Sequence, residues 1–160
     1  FGSTDSDFVG QLAATFGQPT AILPADERWG LCADESGRVL EFGQLAVILR
    51  ADEGVETFVG YRQRWLDRDN SADHPSAELR TISGLGIGFN LSDARQLYSR
   101  VATSELDVQQ DETLPPGTPI YIVQRSSDGR TLIWGELSED DDPEILSINS
   151  PNSCDRGPTP

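Results

Sequence analysis

The sharpest local pattern of oxygen donors in the chain is the stretch Asp67-Arg-Asp-Asn-Ser-Ala-Asp-His-Pro-Ser-Ala-Glu78. Asp67, Asp69, Ser71 and Asp73 fall at loop positions 1, 3, 5 and 7, and Glu78 at position 12. That is the ligand spacing of an EF-hand loop, in which hard oxygen donors surround a calcium ion. Position 6, where such a loop turns on glycine, is Ala72, and neither flank reads as a helix. An acidic, solvated linker is the competing reading. A second run, Glu139-Asp-Asp-Asp-Pro-Glu144, offers the same donors and reads first as a hairpin turn kept soluble by its charge. His74, the single histidine, lies in the linker. A Ser-His-Asp or Cys-His triad would have to be built on it, and a polar linker holds such geometry poorly. There is no HExxH, CxxC or P-loop pattern, and zinc would find too few soft ligands. The 27 acidic residues supply many accidental carboxylate pairs, so an acid-dependent hydrolase stands only as a distant alternative.

The other pattern that invites chemistry is Thr81-Ile-Ser-Gly-Leu-Gly-Ile-Gly-Phe-Asn90. A dinucleotide fingerprint needs G-x-G-x-x-G between a strand and a helix. Here the third glycine comes one position early, no Lys or Arg lies between Thr81 and Asn90 to meet a phosphate, and Asp93 would repel one. The glycines instead let backbone pass close to a sheet and turn into a helix. Asn90 is placed to cap that helix with its side chain, and Asp93 sits near the positive end of the dipole. Leu91, Ala94, Leu97, Tyr98 and Val101 form its apolar stripe.

These segments must be held by the rest of a 160-residue chain, long enough for one sizeable core or two small ones. Net charge is −15, and all twelve basic residues are Arg. No basic footprint exists to neutralise phosphates, so no nucleic-acid partner is expected, and an anionic membrane surface would repel the chain. No apolar run reaches the length of a membrane span, so no membrane insertion is expected in this segment. Arg in place of Lys, with abundant Ala, Gly and Asp, fits a GC-rich genome. The chain contains no Met, which raises the expectation of a removed signal peptide or anchor, or of an excised domain. In an exported chain, two cysteines suggest one disulfide, Cys32 to Cys154. Closing a loop of about 120 residues, it would contribute up to roughly 4–5 kcal/mol. Two reduced, buried thiols are the alternative.

The hydrophobic pattern lays out the elements. Phe8, Val9, Leu12, Ala13 and Phe16 have helical spacing, with Gly17 as the residue past the end and Pro19 beyond it. Residues 21–31 read as a short strand and turn anchored by Trp29. Residues 39–49 read as one strand with a bulge near Gly43, and 57–65 as the returning strand. Residues 67–78 form the linker. A short strand over 79–82, a helix over 91–101, and strands at 106–108, 120–124, 131–137 and 144–148 follow. The 120–124 and 131–137 strands flank the hairpin turn Arg125-Ser-Ser-Asp-Gly129. Tyr61 and Trp65 share a strand face and form a candidate partner surface, with Arg62 and Arg64 solvated on the opposite face.

The resulting order, helix and meander followed by helix and meander, resembles a tandem of the small fold of β-lactamase-inhibitor proteins and small outer-membrane-assembly lipoproteins. The resemblance rests on Phe89-Asn-Leu-Ser-Asp-Ala-Arg-Gln-Leu-Tyr98, similar to a G-x-[ST]-x-x-[DE]-[LV] phrase, and on Phe16-Gly-Gln-Pro19, similar to a helix-ending x-G-x-P. Residues 38–48 and the late cysteine are similar to secreted proteins and lipoproteins of GC-rich bacteria. The inhibitor proteins carry a disulfide in each repeat, whereas this chain has one Cys per half, so no inhibitory residue carries over. The resemblance implies an extracytoplasmic, non-catalytic domain with a sheet face open to a partner.

The sequence therefore predicts an α+β protein of two tandem units, each a short helix packed on an antiparallel β-meander. The units span 6–66 and 79–155, joined by the acidic linker 67–78 and followed by a tail, 156–160. The expected function is a secreted or envelope-tethered binding domain, not an enzyme, engaging an unknown protein or envelope component. A calcium-stabilised structural module is the alternative.

Overall fold

The computed structural model describes residues 6–64, 78–110 and 117–152. Among these residues are eight strands, paired antiparallel wherever a register is defined, and two α-helices. The protein is α+β. The chain divides into two compact units: residues 1–77 with 151–160, and residues 78–150.

The first unit begins with α1 (Ser6–Phe16), which ends where Gly17 donates its N–H back to the Ala13 carbonyl. A meander follows: β1 (Ala21–Ala25), β2 (Ser36–Phe42), β3 (Leu45–Asp52) and β4 (Val55–Arg64), with a 3-10 turn at Glu27–Trp29 between the first two strands. The uninterrupted apolar run Leu45 to Leu49 is buried throughout, as a strand covered on both faces must be. One face is covered by α1, through Phe8 on Phe58 (4.9 Å between centroids) and Phe16 on Phe42 (6.0 Å). The other face carries Val39, Ala46, Ile48 and Val59, closed over by Ala25, Leu31 and Trp29. Each fully buried side chain of this size contributes on the order of 1.5–3 kcal/mol.

Residues 39–49 are two strands rather than one. Gly43 (φ 58°) and Gln44 form a two-residue turn, with Phe42 paired to Leu45. Glycine at the first central position is what a type II′ hairpin requires. The irregularity expected there sits in β4 instead, where Val59 is the extra residue between the Ile48–Gly60 and Leu49–Phe58 pairs. The next hairpin turns on Glu53 and Gly54, both at positive φ (48° and 83°). Two successive left-handed residues match the right-handed twist of the flanking strands.

The second unit opens without the expected strand at 79–82. Thr81 donates its N–H to the Leu85 carbonyl and accepts from the N–H groups of Gly84 and Leu85, closing a compact loop. Ile82, which suggested a strand, is fully exposed. Gly86 leaves a slot for Arg80: a Cβ there would lie within van der Waals overlap of the arginine side chain, whose guanidinium sits 5.4 Å from the Phe89 ring. The glycine run therefore accommodates an arginine from its own unit.

Helix α2 (Leu91–Tyr98) buries Leu91, Ala94 and Tyr98 and stops three residues short of Val101. The strands β5 (Ser104–Gln110), β6 (Pro119–Arg125), β7 (Thr131–Glu136) and β8 (Ser147–Asn149) complete the unit. Its centre is Tyr121, fully buried, whose hydroxyl donates to the Ser147 carbonyl at 2.8 Å. The ring lies over Gly135, where a Cβ would come 1.9 Å from the Ser147 oxygen and 2.7 Å from Tyr121.

The α2 N-terminus differs from the sequence expectation. Asn90 occupies the cap position, but its side chain makes no capping bond. The first helical donors are met from fifty residues away. Leu91 N–H donates to the Pro143 carbonyl (2.7 Å), and Ser92 N–H and Oγ donate to the Asp142 carboxylate (3.4 and 3.0 Å). The acidic run 139–144 thus brings a carboxylate to the positive end of the α2 dipole.

Candidate interaction surface at the edge of the first meander

Strand β1 pairs only with β2 among the described residues, in the register Ala21–Glu41 to Ala25–Gly37. In an antiparallel pair, alternate N–H and C=O groups of the outer strand point away from the partner. The sequence Ala-Ile-Leu-Pro-Ala places apolar side chains along this open edge: Ile22 is 60% exposed and Leu23 37%. Such an edge is a template for another strand unless charge, a bulge or a covering element blocks it. Here the guard within the strand is Pro24, which removes one donor.

Strand β5 is the contrasting case. It too has one partner, β6, among the described residues, but its exposed positions are Glu105, Asp107, Gln109 and Gln110. Charged side chains on an edge oppose unwanted pairing. The chain therefore blunts one open strand with carboxylates and leaves the other apolar.

The surroundings of β1 are ordered and acidic. Asp26 follows the strand, caps the 3-10 turn by accepting from Arg28 N–H (3.0 Å), and receives the Arg28 guanidinium at 2.6–3.2 Å. The side-chain bond from Arg28 holds the Asp26 carboxyl below its ordinary value, and the same bond raises the Arg28 guanidinium. Arg38, opposite Pro24, is paired with Glu56. Two nearby carboxylates, Glu27 and Glu41, have no ion-pair partner among the described residues. Trp29 anchors the turn on the sheet beneath Arg62 and Arg64, whose guanidinium carbons lie 5.5 and 5.7 Å from its ring. Those arginines, expected to be merely solvated, stack on an aromatic face, an interaction of about 0.5–1 kcal/mol where solvent is present.

An open groove of about 810 Å³ lies between α1 and the β3–β4 hairpin, lined by Val9, Gly10, Ala13 and Val55 with the Arg38–Glu56 pair in its wall. A second hollow of about 540 Å³ is lined by Thr103, Ser104, Arg125, Ser126 and Leu132. Arg125 there already pairs with Asp128 at 3.2 Å.

The residues singled out from sequence are distributed as follows. Asp67, Asp69, Ser71, Asp73, His74, Trp65 and Cys154 lie outside the described residues. Glu78 is exposed, and no group of three or more His, Cys, Asp or Glu side chains poised for a metal occurs among the described residues. Tyr61 is half-buried and pairs with Val47, on the face that carries α1. Cys32 is half-buried and is not a free thiol. The β1 edge itself was missed by sequence reasoning, although its signal is present: a proline inside a short apolar run marks an edge strand. No helix is long and apolar enough to cross a membrane among the described residues. Searches of protein-family models, curated proteins and solved structures returned no match to this chain.

Proposed function

We propose that this protein is an extracytoplasmic, non-catalytic interaction domain that engages a protein or envelope component through the β1 edge. The observation that carries the reading is an edge strand, open among the described residues, that bears two exposed aliphatic side chains, Ile22 and Leu23, whereas the other such strand, β5, is guarded by carboxylates. A domain under pressure only to stay monomeric gains nothing from that asymmetry, because an unguarded apolar edge promotes aggregation. A tandem origin of the two units, as the resemblance to the inhibitor-like fold implies, belongs to the same proposal.

Export fits a Cys32–Cys154 disulfide, which we include in the proposal. It is supported by the approach of the returning segment to the region of Cys32: a Cβ on Gly30 would lie 2.6 Å from the Asn152 side-chain oxygen. These two positions are each two residues from a cysteine.

The test is site-specific photo-crosslinking in the native envelope fraction. A photoreactive residue at position 22 should capture a discrete partner, while one at Gln109 on β5 should not. Equal labelling at both positions, or none at position 22, overturns the assignment of β1 as the interacting edge.

A further inference from the structure

We infer that β1 binds its partner by strand addition, and that the ligand is an extended, apolar segment carrying basic residues from another protein. This rests on the reading of β1 as the interaction edge, and it names the mode and the ligand class. Outward-facing main-chain groups of β1 bond an incoming strand whatever its sequence, and side-chain preference comes from what flanks the edge. Flanking β1 are Ile22 on the sheet face that bears Leu40, and Leu23 on the face that bears Val39. An added strand alternates its side chains across those two faces. On both faces it meets an aliphatic neighbour.

Charge selects among extended segments. Arg28 and Arg38 are engaged by Asp26 and Glu56, which leaves Glu27 and Glu41 as the charges beside the strand without ion pairs among the described residues. The whole chain carries −15. A basic segment is attracted both over distance and at contact, whereas an acidic one is repelled. The same charge argues against a second copy of this chain as occupant. Self-pairing would bring two such charges together and would set Pro24, which lacks an N–H, into the ladder twice.

The experiment selects a displayed library of short random peptides on the folded, disulfide-intact chain. The expected outcome is enrichment of sequences with apolar residues at every second position and net positive charge. Binding of an enriched synthetic peptide should slow hydrogen exchange at β1 amides. N-methylation of alternate peptide nitrogens should weaken it about tenfold, the loss of one or two main-chain hydrogen bonds. Ile22→Lys, at an exposed position where folding is retained, should abolish binding, and Gln109→Lys should not. Helical-pattern or acidic enrichment, no enrichment, indifference to N-methylation, or protection of β5 instead of β1 each overturns the inference. So does a concentration-dependent homodimer cross-linked through position 22. If position 22 captures a foreign protein in the envelope but the selection yields no such strands, strand addition fails while the interaction edge stands.

Discussion

Removing Asp142 should weaken helix α2, fifty residues away in sequence. In Asp142→Ala the Ser92 N–H and hydroxyl lose their acceptor, while the Leu91 N–H keeps the Pro143 carbonyl. The backbone bond is long at 3.4 Å, so the capping contribution belongs at the lower end of the usual range, about 0.5–1 kcal/mol. The carboxylate also faces the positive end of the helix dipole, worth about 0.3–1 kcal/mol at an exposed site. The sum is about 1–2 kcal/mol, a fall of roughly 2–8 °C in Tm for a chain of this size. The assay is urea denaturation followed by far-UV circular dichroism, with a double-mutant cycle through Ser92→Ala. The paired substitutions should be less than additive, since both remove one interaction. Asn90→Ala should cost less than Asp142→Ala because the Asn90 side chain makes no cap bond. Raising salt should shrink the Asp142 effect by its dipole component. An unchanged stability for Asp142→Ala, or a larger loss for Asn90→Ala, would refute the non-local cap and restore the local one.

Glu53 is the non-glycine residue at positive φ among the described residues, in a turn that favours Asn at that position. Glu53→Asn should therefore stabilise the fold by about 0.5–1 kcal/mol in urea melts. Two glycines should respond oppositely to alanine. Gly10, in the interior of α1 with nothing near its missing Cβ, should gain about 0.5–1 kcal/mol. Gly135, where the Cβ would strike the Ser147 carbonyl, should lose about 3 kcal/mol or more, with collapse of amide protection along β7. The depressed Asp26 carboxyl stabilises the folded state above its unfolded value, and that contribution is lost as pH falls through the folded value. Asp26→Asn should accordingly flatten the acid limb of a Tm-versus-pH curve below about pH 4. Reduction should lower stability by up to about 4–5 kcal/mol, and Cys32→Ser should abolish the sensitivity to reductant.

What could be read from sequence was local. The α1 stripe with Gly17 behind it, the tight turn at Gly54 and the hairpin around Asp128 each declare themselves within a few residues. What could not be read depends on partners remote in the chain. The α2 cap looked local because Asn90 has the right side chain at the right place, yet the donors there are satisfied from residues 142 and 143. The Gly43–Gln44 turn reads as a bulge because the reversal takes only two residues between apolar runs, with Phe42 paired directly to Leu45. Ile82 misled in the other direction, an aliphatic side chain fully in solvent. Of the β1 edge, the strand is legible and its openness is not, since a strand becomes an edge only through the arrangement of the others.

The division of the chain carries a consequence for the order of assembly. Residues 78–150 form an uninterrupted unit, whereas the first unit draws on residues 1–77 and again on 151–160. In a chain that emerges amino end first, the later unit can close as soon as its own residues are free. The earlier one must wait for Pro151 and Asn152 to arrive and for Asn152 to settle against Gly30. The first-made half is thus the last to receive all of its residues, although its core, from Ala25 to Val59, lies wholly in the part made first.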